Sequence, residues 1–524
     1  MPLLSKPPSS VIIIGGGFSG LAMACQLQRT LDLDDYVIYD RNSGIGGTWW
    51  ANTCSFIPPP EFSLCLSSAN RDLCAMEQIQ DVELMFRGFA IVFHYMHRVA
   101  SHYGVSDHFT GNTEWEGADW QDEKQLWLVR LKDLQTGDQF TQECRILISG
   151  VGALVNPRTM DVEGSETFQG SIIHTAQWQH SVDLRDKHVS GEYSDSSIAS
   201  ALQLVPEIAK EAKSVTQFMR SPQHLVESSN YAISPFWRFM FRYFPITLYL
   251  ARFVMFIYME ESFLHSQPSR PGRLSRANSE RQSREYVQRT APKKYWDLLT
   301  PTFDFGCRVG ISTSLLSACT ETILQRRIFD RAYAASLHQD NLTLTNDPIV
   351  KIKPTAIVTG SKEEVYTDVI VLATGFDLSQ YDIEIKGRHG KTREQHWQEA
   401  EGKATFKTVA MSGFPNFFYI LGPNSGRIYT STLAMIESQV DLVINAIRPI
   451  ILRHASSVEV RTGRDKQYQD SLNHALDNTI YNRSCSGYFF DEGTGKNWFI
   501  YPWDSVHLWW EMYWNAEAGW EYHT

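Results

Sequence analysis

A glycine-rich turn near the start of the chain has the spacing that binds the pyrophosphate of a dinucleotide. It lies between an apolar, β-branched run at 11–14 and a predicted helix at 21–31. In a GxGxxG motif the first glycine permits the turn, the second lets the backbone approach the pyrophosphate, and the third brings the helix against the strand. The N–H groups at the start of the helix then point at the anion. The predicted contacts are Gly15, Gly17, Phe18, Ser19 and Gly20.

An acidic residue follows the second predicted strand at the distance expected for a ribose-binding carboxylate. The strand 36–39 is followed by Asp40, 20 positions after Gly20, where a carboxylate accepts hydrogen bonds from both ribose hydroxyls. An acid at this point favours FAD or NAD over NADP. A glycine turn that binds no ligand would leave the position of Asp40 to coincidence. Asp40 and its neighbour Arg41 therefore join the candidate cofactor site.

Two further segments extend this candidate site. A second glycine pair lies within residues 46–49, only a few residues after the ribose-binding acid. A glycine pair at this short distance along the chain is typical of flavoproteins. Far downstream, residues 368–377 read as a buried strand ending in a turn of small residues, which we expect to return the chain to the first domain. The candidate FAD contacts in these segments are Gly47, Thr48, Trp49, Thr374 and Gly375.

Composition excludes several classes of protein. The chain has 524 residues, with 48 Lys plus Arg against 59 Asp plus Glu and a formal net charge of −11. Nucleic-acid binders normally carry a basic domain or stripe, so no nucleic-acid partner is expected. The length suggests two or three domains. The eight scattered cysteines favour reduced, buried thiols over a disulfide framework or a metal site, and hence an intracellular protein.

The sequence predicts neither a signal peptide nor a membrane span. The first apolar run is four residues long, whereas a signal peptide needs a core of about 7–15. The longest apolar region, Phe236–Phe263, is interrupted by three arginines. We expect it to form amphipathic helices packed within a domain, without membrane contact. Most tryptophans, including those of the tail, are likewise expected to pack in the protein, which we predict to be cytoplasmic.

The most specific motif lies between the two predicted domains. Residues 168–178 read FQGSIIHTAQW and fit the fingerprint FxGxxxHxxxW, with Gln179 where Pro or Asp usually follows. Further matches occur at the glycine motif, at Asn52 and at residues 218–222, 413–418 and 422–424. On these motifs the chain resembles the Baeyer–Villiger monooxygenases, a group of class B flavoprotein monooxygenases. The resemblance is greatest to fungal members that act in polyketide-type secondary metabolism.

The resemblance implies an oxidation that uses two cofactors. Such enzymes reduce FAD with NADPH and deliver one atom of O2 to a ketone, which gives an ester or a lactone. The flavin carries the redox chemistry, and the protein supplies positioning and electrostatics. The resemblance assigns Arg220 and Ser221 to the 2′-phosphate of NADPH, which suits a guanidinium because it donates two parallel charged hydrogen bonds. Asn52 joins the candidate FAD contacts in the same way.

Two candidate catalytic residues also come from the resemblance. An arginine beside the flavin stabilises negative charge that develops during oxygen transfer. Alignment from the C-terminal side gives this role to Arg326, with Arg327 and Arg308 as alternatives. His174 of the fingerprint is expected to make an interdomain hydrogen bond, and direct acid–base chemistry is the alternative.

Four segments depart from the family pattern: residues 54–58, 84–93, 190–200 and 308–325. Ser196 and Ile198 replace the key glycines of the second dinucleotide motif, and side chains there crowd the pyrophosphate, which argues against tight NADPH binding. Ser196 and Ser197 stay candidate NADPH contacts. Phe56 stands where an Asp would orient the catalytic arginine. The segment 84–93 interrupts a predicted helix.

The sequence thus predicts an α/β protein with two Rossmann-like dinucleotide-binding domains, one for FAD and one for NADPH. Residues 1–155 and 366–524 form the FAD domain, and 156–365 form the NADPH domain with a helical insert at about 225–300. The predicted reaction is oxygenation of a small-molecule ketone by O2, without a metal. One alternative is an N- or S-oxygenating monooxygenase of the same fold. The other is a catalytically impaired flavoprotein or a mis-spliced product, which the four departures suggest.

Overall fold

The computed structural model describes most of the chain. The described residues are 4–52, 88–193, 198–227, 234–303, 305, 328–330, 332–378, 381–427, 431–484, 490–491 and 493–524.

The strands, in chain order, are β1 Leu4–Ile14, β2 Tyr36–Tyr39, β3 Phe109–Thr110, β4 Thr113–Gln121, β5 Leu126–Asp133, β6 Gln139–Ser149, β7 Asn156–Pro157, β8 Ser171–His174, β9 His188–Tyr193, β10 Ser214–Met219, β11 Leu225–Glu227, β12 Ile328–Asp330, β13 Leu342–Thr345, β14 Ile349–Lys353, β15 Ala356–Thr359, β16 Glu364–Tyr366, β17 Val369–Ala373, β18 Phe376–Asp377, β19 Glu384–Lys386, β20 Phe417–Tyr419, β21 Ser457–Val460 and β22 Trp520–His523.

The α-helices are α1 Phe18–Leu31, α2 Thr48–Ala51, α3 Gly88–His102, α4 Ile198–Glu211, α5 Pro235–Tyr243, α6 Pro245–Glu261, α7 Arg270–Thr290, α8 Trp296–Leu299, α9 Tyr333–Ser336, α10 Arg393–Glu399, α11 Thr432–Ile451, α12 Arg464–Asp477, α13 Ile480–Ser484 and α14 Ser505–Trp509. Short 3-10 turns occur at Val105–His108, Ser165–Thr167, Ser262–Ser266, Lys293–Tyr295 and Arg388–Gly390, and a π-turn spans Trp510–Trp514.

The first sheet joins both ends of the chain. Its order is β19-β4-β5-β6-β1-β2-β3, and β20 also pairs with β6. The β-branched run Val11–Ile14 is buried and pairs in parallel with β2 and with β6. Such apolar runs are typical of parallel strands that are covered on both faces. Phe417 of β20 lies beside Leu147 of β6, so a late segment completes a sheet that residue 4 begins.

The second sheet is parallel and has the order β13-β10-β9-β17-β8. Strand β17 lies inside this sheet, between β9 and β8, with Val369 beside both Val189 and Ser171. The domain bounds expected from the sequence put β17 in the C-terminal FAD segment at 366–524. The pairing instead puts residues 369–373 in the second sheet, and the chain leaves that sheet at Thr374.

Two local expectations also change in the structure. The segment 84–93 was predicted to interrupt a helix, yet from Gly88 onward it is part of the continuous helix α3. The apolar region Phe236–Phe263 does form helices, α5 and α6, within the predicted insert. Their apolar side chains are largely exposed rather than packed. Periodicity in a sequence gives the spacing of apolar residues but not the side of the helix that meets the protein.

Candidate active site

The first glycine turn has the close packing that its motif predicts. Strand β1 ends at Ile14, and Gly15 has a φ of +107°. The N–H of Gly15 donates to the carbonyl of Tyr39 at 2.7 Å. A Cβ on Gly20 would lie 1.9 Å from the carbonyl oxygen of Gly15, so only glycine lets α1 begin this close to the strand. The first-turn N–H groups of α1, at Phe18 and Ser19, have no partner within the helix and can face an anion.

The second glycine pair lies directly against this turn. The N–H of Gly46 donates to the carbonyl of Gly16 at 2.9 Å. Gly47 has a φ of +55°, and a Cβ there would lie 2.7 Å from the Cα of Gly17. Two bare backbone segments therefore face each other and form a cradle that any side chain would fill. This cradle fits a dinucleotide pyrophosphate, which needs close backbone approach.

Asp40 lies at the edge of the cradle with its carboxylate held by backbone donors. Oδ2 accepts from the N–H of Gly16 at 2.6 Å, and Oδ1 accepts from the N–H of Asn42 at 2.7 Å. The residue is 8% exposed, and burial raises the pKa of the carboxyl above its usual range, although the Gly16 and Asn42 donors oppose the shift. Each carboxylate oxygen has a second lone pair, so both can still accept from ribose hydroxyls.

The flanking candidates hold the cradle in place. Arg41 donates to the Asn156 side chain and the Val155 carbonyl, both at 2.7 Å, so its guanidinium ties the cradle to the linker into the second domain. Within helix α2, the Nδ2 of Asn52 donates to the carbonyl of Thr48 at 2.7 Å. Trp49 packs against the hydrophobic core of the first domain.

The fingerprint histidine lies at the carboxyl end of the second sheet. His174 ends β8 opposite Leu372 of β17, and its Nδ1 accepts from the N–H of Ala176 at 3.0 Å. The neutral ring then carries its proton on Nε2. Burial lowers the pKa of the imidazole, while the backbone of Gly375 opposes the shift. The bond to Ala176 is local, and the interdomain hydrogen bond expected from the sequence stays a prediction.

Thr374 and Gly375 form the crossing between the two domains beside this histidine. The hydroxyl of Thr374 donates to the carbonyl of Arg158 at 2.6 Å, and the N–H of Arg158 donates to the carbonyl of Gly375 at 3.0 Å. Gly375 has a φ of +83°. The two strands of the linker thus run side by side, next to His174.

The candidate 2′-phosphate contacts follow β10 at the carboxyl edge of the second sheet. Arg220 is exposed and Ser221 is buried. Ligands of parallel α/β sheets bind at this edge, so Arg220 fits a phosphate. Sequence reasoning missed Glu192, which ends up beside Arg220. The sequence feature that could have revealed Glu192 is its position: it is an acidic residue within a strand whose two neighbouring strands are apolar.

Glu192 lies in an apolar environment that penalises its charge. In β9 it pairs with Phe218 on one side and with Leu372 on the other, and both of these belong to a buried apolar cluster. Its Oε2 is buried without a hydrogen-bond partner in the described part of the chain. Burial raises the pKa of the carboxyl, and the charge of Arg220 opposes the shift. A buried carboxylate thus lies within electrostatic reach of Arg220.

Several candidates lie outside the described residues. These are Ser196, Ser197 and Arg326, together with the alternatives Arg308 and Arg327 and the departing residue Phe56. Of the eight cysteines, Cys25 and Cys144 are described, and both are free and buried, as expected. Among the described residues no cluster of three metal-ligating side chains occurs.

Comparison with known proteins agrees with this architecture. The family described as an NAD(P)-binding Rossmann-like domain matches residues 13–53, which contain the cradle. The fold is similar to that of a cyclohexanone monooxygenase from Rhodococcus sp. Phi1, with a TM-score of 0.81 and 20% identity over 99% of this chain and 100% of the other. A steroid monooxygenase gives a TM-score of 0.79 at 22% identity. Cradle and sheets together define a flavoprotein with two dinucleotide-binding domains.

Sequence relatives make the assignment specific. The FAD-binding monooxygenase ktnD of Aspergillus niger is 30% identical over 451 residues, which cover 84% of this chain and 69% of the relative. A Baeyer–Villiger monooxygenase of Pseudomonas aeruginosa is 27% identical over 94% of this chain and 87% of the relative. The chain belongs to the FAD-binding monooxygenase family. The predictions of the α/β fold and of a flavin-dependent monooxygenase are confirmed.

Proposed function

We propose that this chain uses NADPH and bound FAD to insert one oxygen atom of O2 into a small-molecule ketone, which gives an ester or a lactone. The observation that carries the proposal is the cradle between Gly17 and Gly47 with Asp40 at its edge. A relative is named a Baeyer–Villiger monooxygenase, and a solved structure of similar fold is described as bound to cyclohexanone. A role in fungal secondary metabolism and a cytoplasmic location stay predictions from the sequence.

The residues of the chain divide the work of binding. The cradle N–H groups hold the pyrophosphate of FAD, and Asp40 accepts from its ribose hydroxyls. Bound FAD would accept a hydride from NADPH and, once reduced, activate dioxygen. Arg220 pairs with the 2′-phosphate of NADPH. The Thr374–Gly375 crossing and His174 hold the second domain in register with the first.

Charge stabilisation at the reacting carbonyl is assigned to Arg326. Addition of oxygen to a ketone places negative charge on the former carbonyl oxygen, and a fixed guanidinium in a dry site stabilises that charge more strongly than water does. This assignment rests on the sequence resemblance, because Arg326 lies outside the described residues.

Two experiments on the purified protein test the proposal. An absorption spectrum reports bound flavin, and NADPH added without oxygen should bleach the yellow colour. With oxygen, a cyclic ketone should give a lactone, whereas an N- or S-oxygenating enzyme would oxidise a thioether and leave the ketone intact. A yellow protein that NADPH cannot bleach would contradict the proposal and favour an impaired flavoprotein, for which the replaced glycines at Ser196 and Ile198 are the motivating observation.

A further inference from the structure

Helices α5 and α6 turn a continuous row of apolar side chains to the solvent. On α6 the exposed positions follow the spacing i, i+4, i+7, i+8 and i+11, which is one face of a helix. On α5 they follow i, i+1, i+3 and i+7. We call this the α5–α6 surface. Its members are Phe236, Trp237, Phe239, Tyr243, Phe244, Ile246, Leu250, Phe253, Val254, Ile257 and Tyr258, which are between 49% and 76% exposed.

The polarity of α6 is the reverse of a normal surface helix. Glu260 faces the protein, where its Oε1 accepts from the N–H of Ser505 at 2.9 Å and lies 3.8 Å from the Nη2 of Arg427. Arg252 also has its Nε buried, without a hydrogen-bond partner within the described ranges. A helix of a globular protein normally buries its apolar stripe and exposes its charges. On α6 the apolar side chains face outward, so an apolar medium outside the protein would remove them from water.

The size of this surface exceeds what monomeric proteins normally leave in water. Large aromatic side chains present about 150–250 Å² each, so eleven half-exposed apolar residues present on the order of 1,000 Å². Exposed apolar patches beyond a few hundred Å² mark an interaction site. The α5–α6 surface therefore has the size of an interaction site.

Charge identifies the partner. Residues 235–261, which span α5 and α6, contain three arginines and two glutamates, in a chain whose net charge is −11, and Glu260 faces the protein. Arg242 lies among the exposed residues. An isologous contact with a second copy would set one positive segment against another. An anionic bilayer attracts an exposed arginine such as Arg242.

Exposed aromatic residues also occur on the segment that begins near the end of α6. The hydrogen bond between Glu260 and Ser505 brings the start of α14 to this end. Trp509, Trp510 and Trp514 follow, and they are 48%, 55% and 67% exposed. These three depart from the expectation that the tail tryptophans pack, whereas Trp503 and Trp520 do pack in or against the core. Trp and Tyr are the side chains most enriched at the boundary between lipid and water.

The geometry excludes a straight crossing. Among the described helices, none alone is long and apolar enough to span a membrane, and the pair Pro235–Tyr243 and Pro245–Ser266 passes that test only in combination, with a bend of 113°. Such a bent pair can lie in the plane of a membrane surface with its apolar face down. We infer that the α5–α6 surface docks the protein on an anionic lipid bilayer.

Vesicle flotation with the full-length flavin-loaded protein tests this inference. Vesicles of phosphatidylcholine with 30% phosphatidylserine should carry the wild-type protein upward, and pure phosphatidylcholine should carry much less. The double variant Leu250→Ser/Phe253→Ser should bind the anionic vesicles at least about tenfold more weakly, since it removes two large apolar side chains from the buried face. Arg242→Glu should weaken binding to anionic vesicles only. The matched control Leu274→Ser changes a leucine of α7 that is 64% exposed, and it should float like the wild type.

Three outcomes overturn the inference. Failure of the wild-type protein to float with anionic vesicles overturns it directly. Equal flotation of wild type and Leu250→Ser/Phe253→Ser shows that another surface binds lipid. Light scattering could instead show a wild-type dimer that becomes a monomer in the double variant. If the wild type also fails to float, a second copy of the chain covers the surface. Each of these results is independent of oxygenase activity, so it leaves the proposed reaction untouched.

Discussion

The backbones of Gly17 and Gly47 approach so closely that a Cβ on Gly47 would lie 2.7 Å from the Cα of Gly17. Gly47 also has a φ of +55°, which L side chains rarely adopt. Gly47→Ala should therefore widen the cradle and lower the flavin retained after purification at least about tenfold, as both strain and clash act at one position. The ratio of absorbance at 450 and 280 nm measures this loss.

Gly137→Ala is the matched control for that variant. Gly137 has a φ of +80°, and a Cβ there meets no atom within 4 Å. The control should lose roughly 1 kcal/mol of stability from backbone strain and keep its flavin. Equal flavin loss in both variants would mean that the strain, and not the cradle, accounts for the effect.

Glu192 should weaken NADPH binding through its charge beside Arg220. Glu192→Gln removes the competitor for the 2′-phosphate, and we expect the KM for NADPH to fall roughly fivefold, equivalent to about 1 kcal/mol. Initial rates of NADPH oxidation give this value. Glu207→Gln, an acid on α4 that pairs with Lys210 at 2.7 Å, is the control and should leave the KM unchanged.

The same pair predicts a pH dependence of NADPH binding. Burial raises the pKa of Glu192, so its carboxyl takes up a proton earlier than a solvent-exposed one as the pH falls. Once the carboxyl is neutral, the wild type resembles Glu192→Gln. The difference in KM should therefore be largest at high pH and shrink as the pH falls toward that raised pKa. A difference that grows on acidification would rule out this explanation.

His174 should act by position and not by proton transfer. Asparagine offers an oxygen that can accept from the N–H of Ala176 in place of Nδ1. We expect His174→Asn to form product nearly as efficiently per NADPH as the wild type, and His174→Ala to fall about tenfold, the cost of one buried donor left unpaired. Product yield and NADPH consumption in one assay measure this ratio. If both variants lose product equally, the acid–base alternative holds.

Arg326→Ala should separate the two halves of the reaction. Loss of one charge-stabilising donor typically costs about 10²–10³ in rate, so product should nearly vanish while NADPH still bleaches the flavin at the wild-type rate. Stopped-flow absorbance measures the bleaching. Arg327→Ala tests the alternative assignment, and unchanged product in Arg326→Ala would assign the role to another arginine.

The parts of the site that depend on short-range sequence pattern could be predicted from the sequence. The strand at Val11–Ile14, the turn through Gly20 and the carboxylate of Asp40 follow from spacing alone, because each residue has a task that few residue types perform. Membership of β17 in the second sheet could not be predicted, since a buried parallel strand reads as the same apolar run in either sheet. The burial of Glu192 depends equally on strand pairing, which sequence does not show.

The pairing of β20 with β6 has a consequence for how the protein is made. All strands of the second sheet lie between residues 171 and 373, so the ribosome releases them before Phe417 emerges to lie beside Leu147. We expect the inserted domain to fold first, while β6 waits with an open edge and uncovered apolar side chains. Such an intermediate is prone to aggregate. Chaperone supply during expression, more than the stability of the finished enzyme, should then limit the yield of flavin-loaded protein.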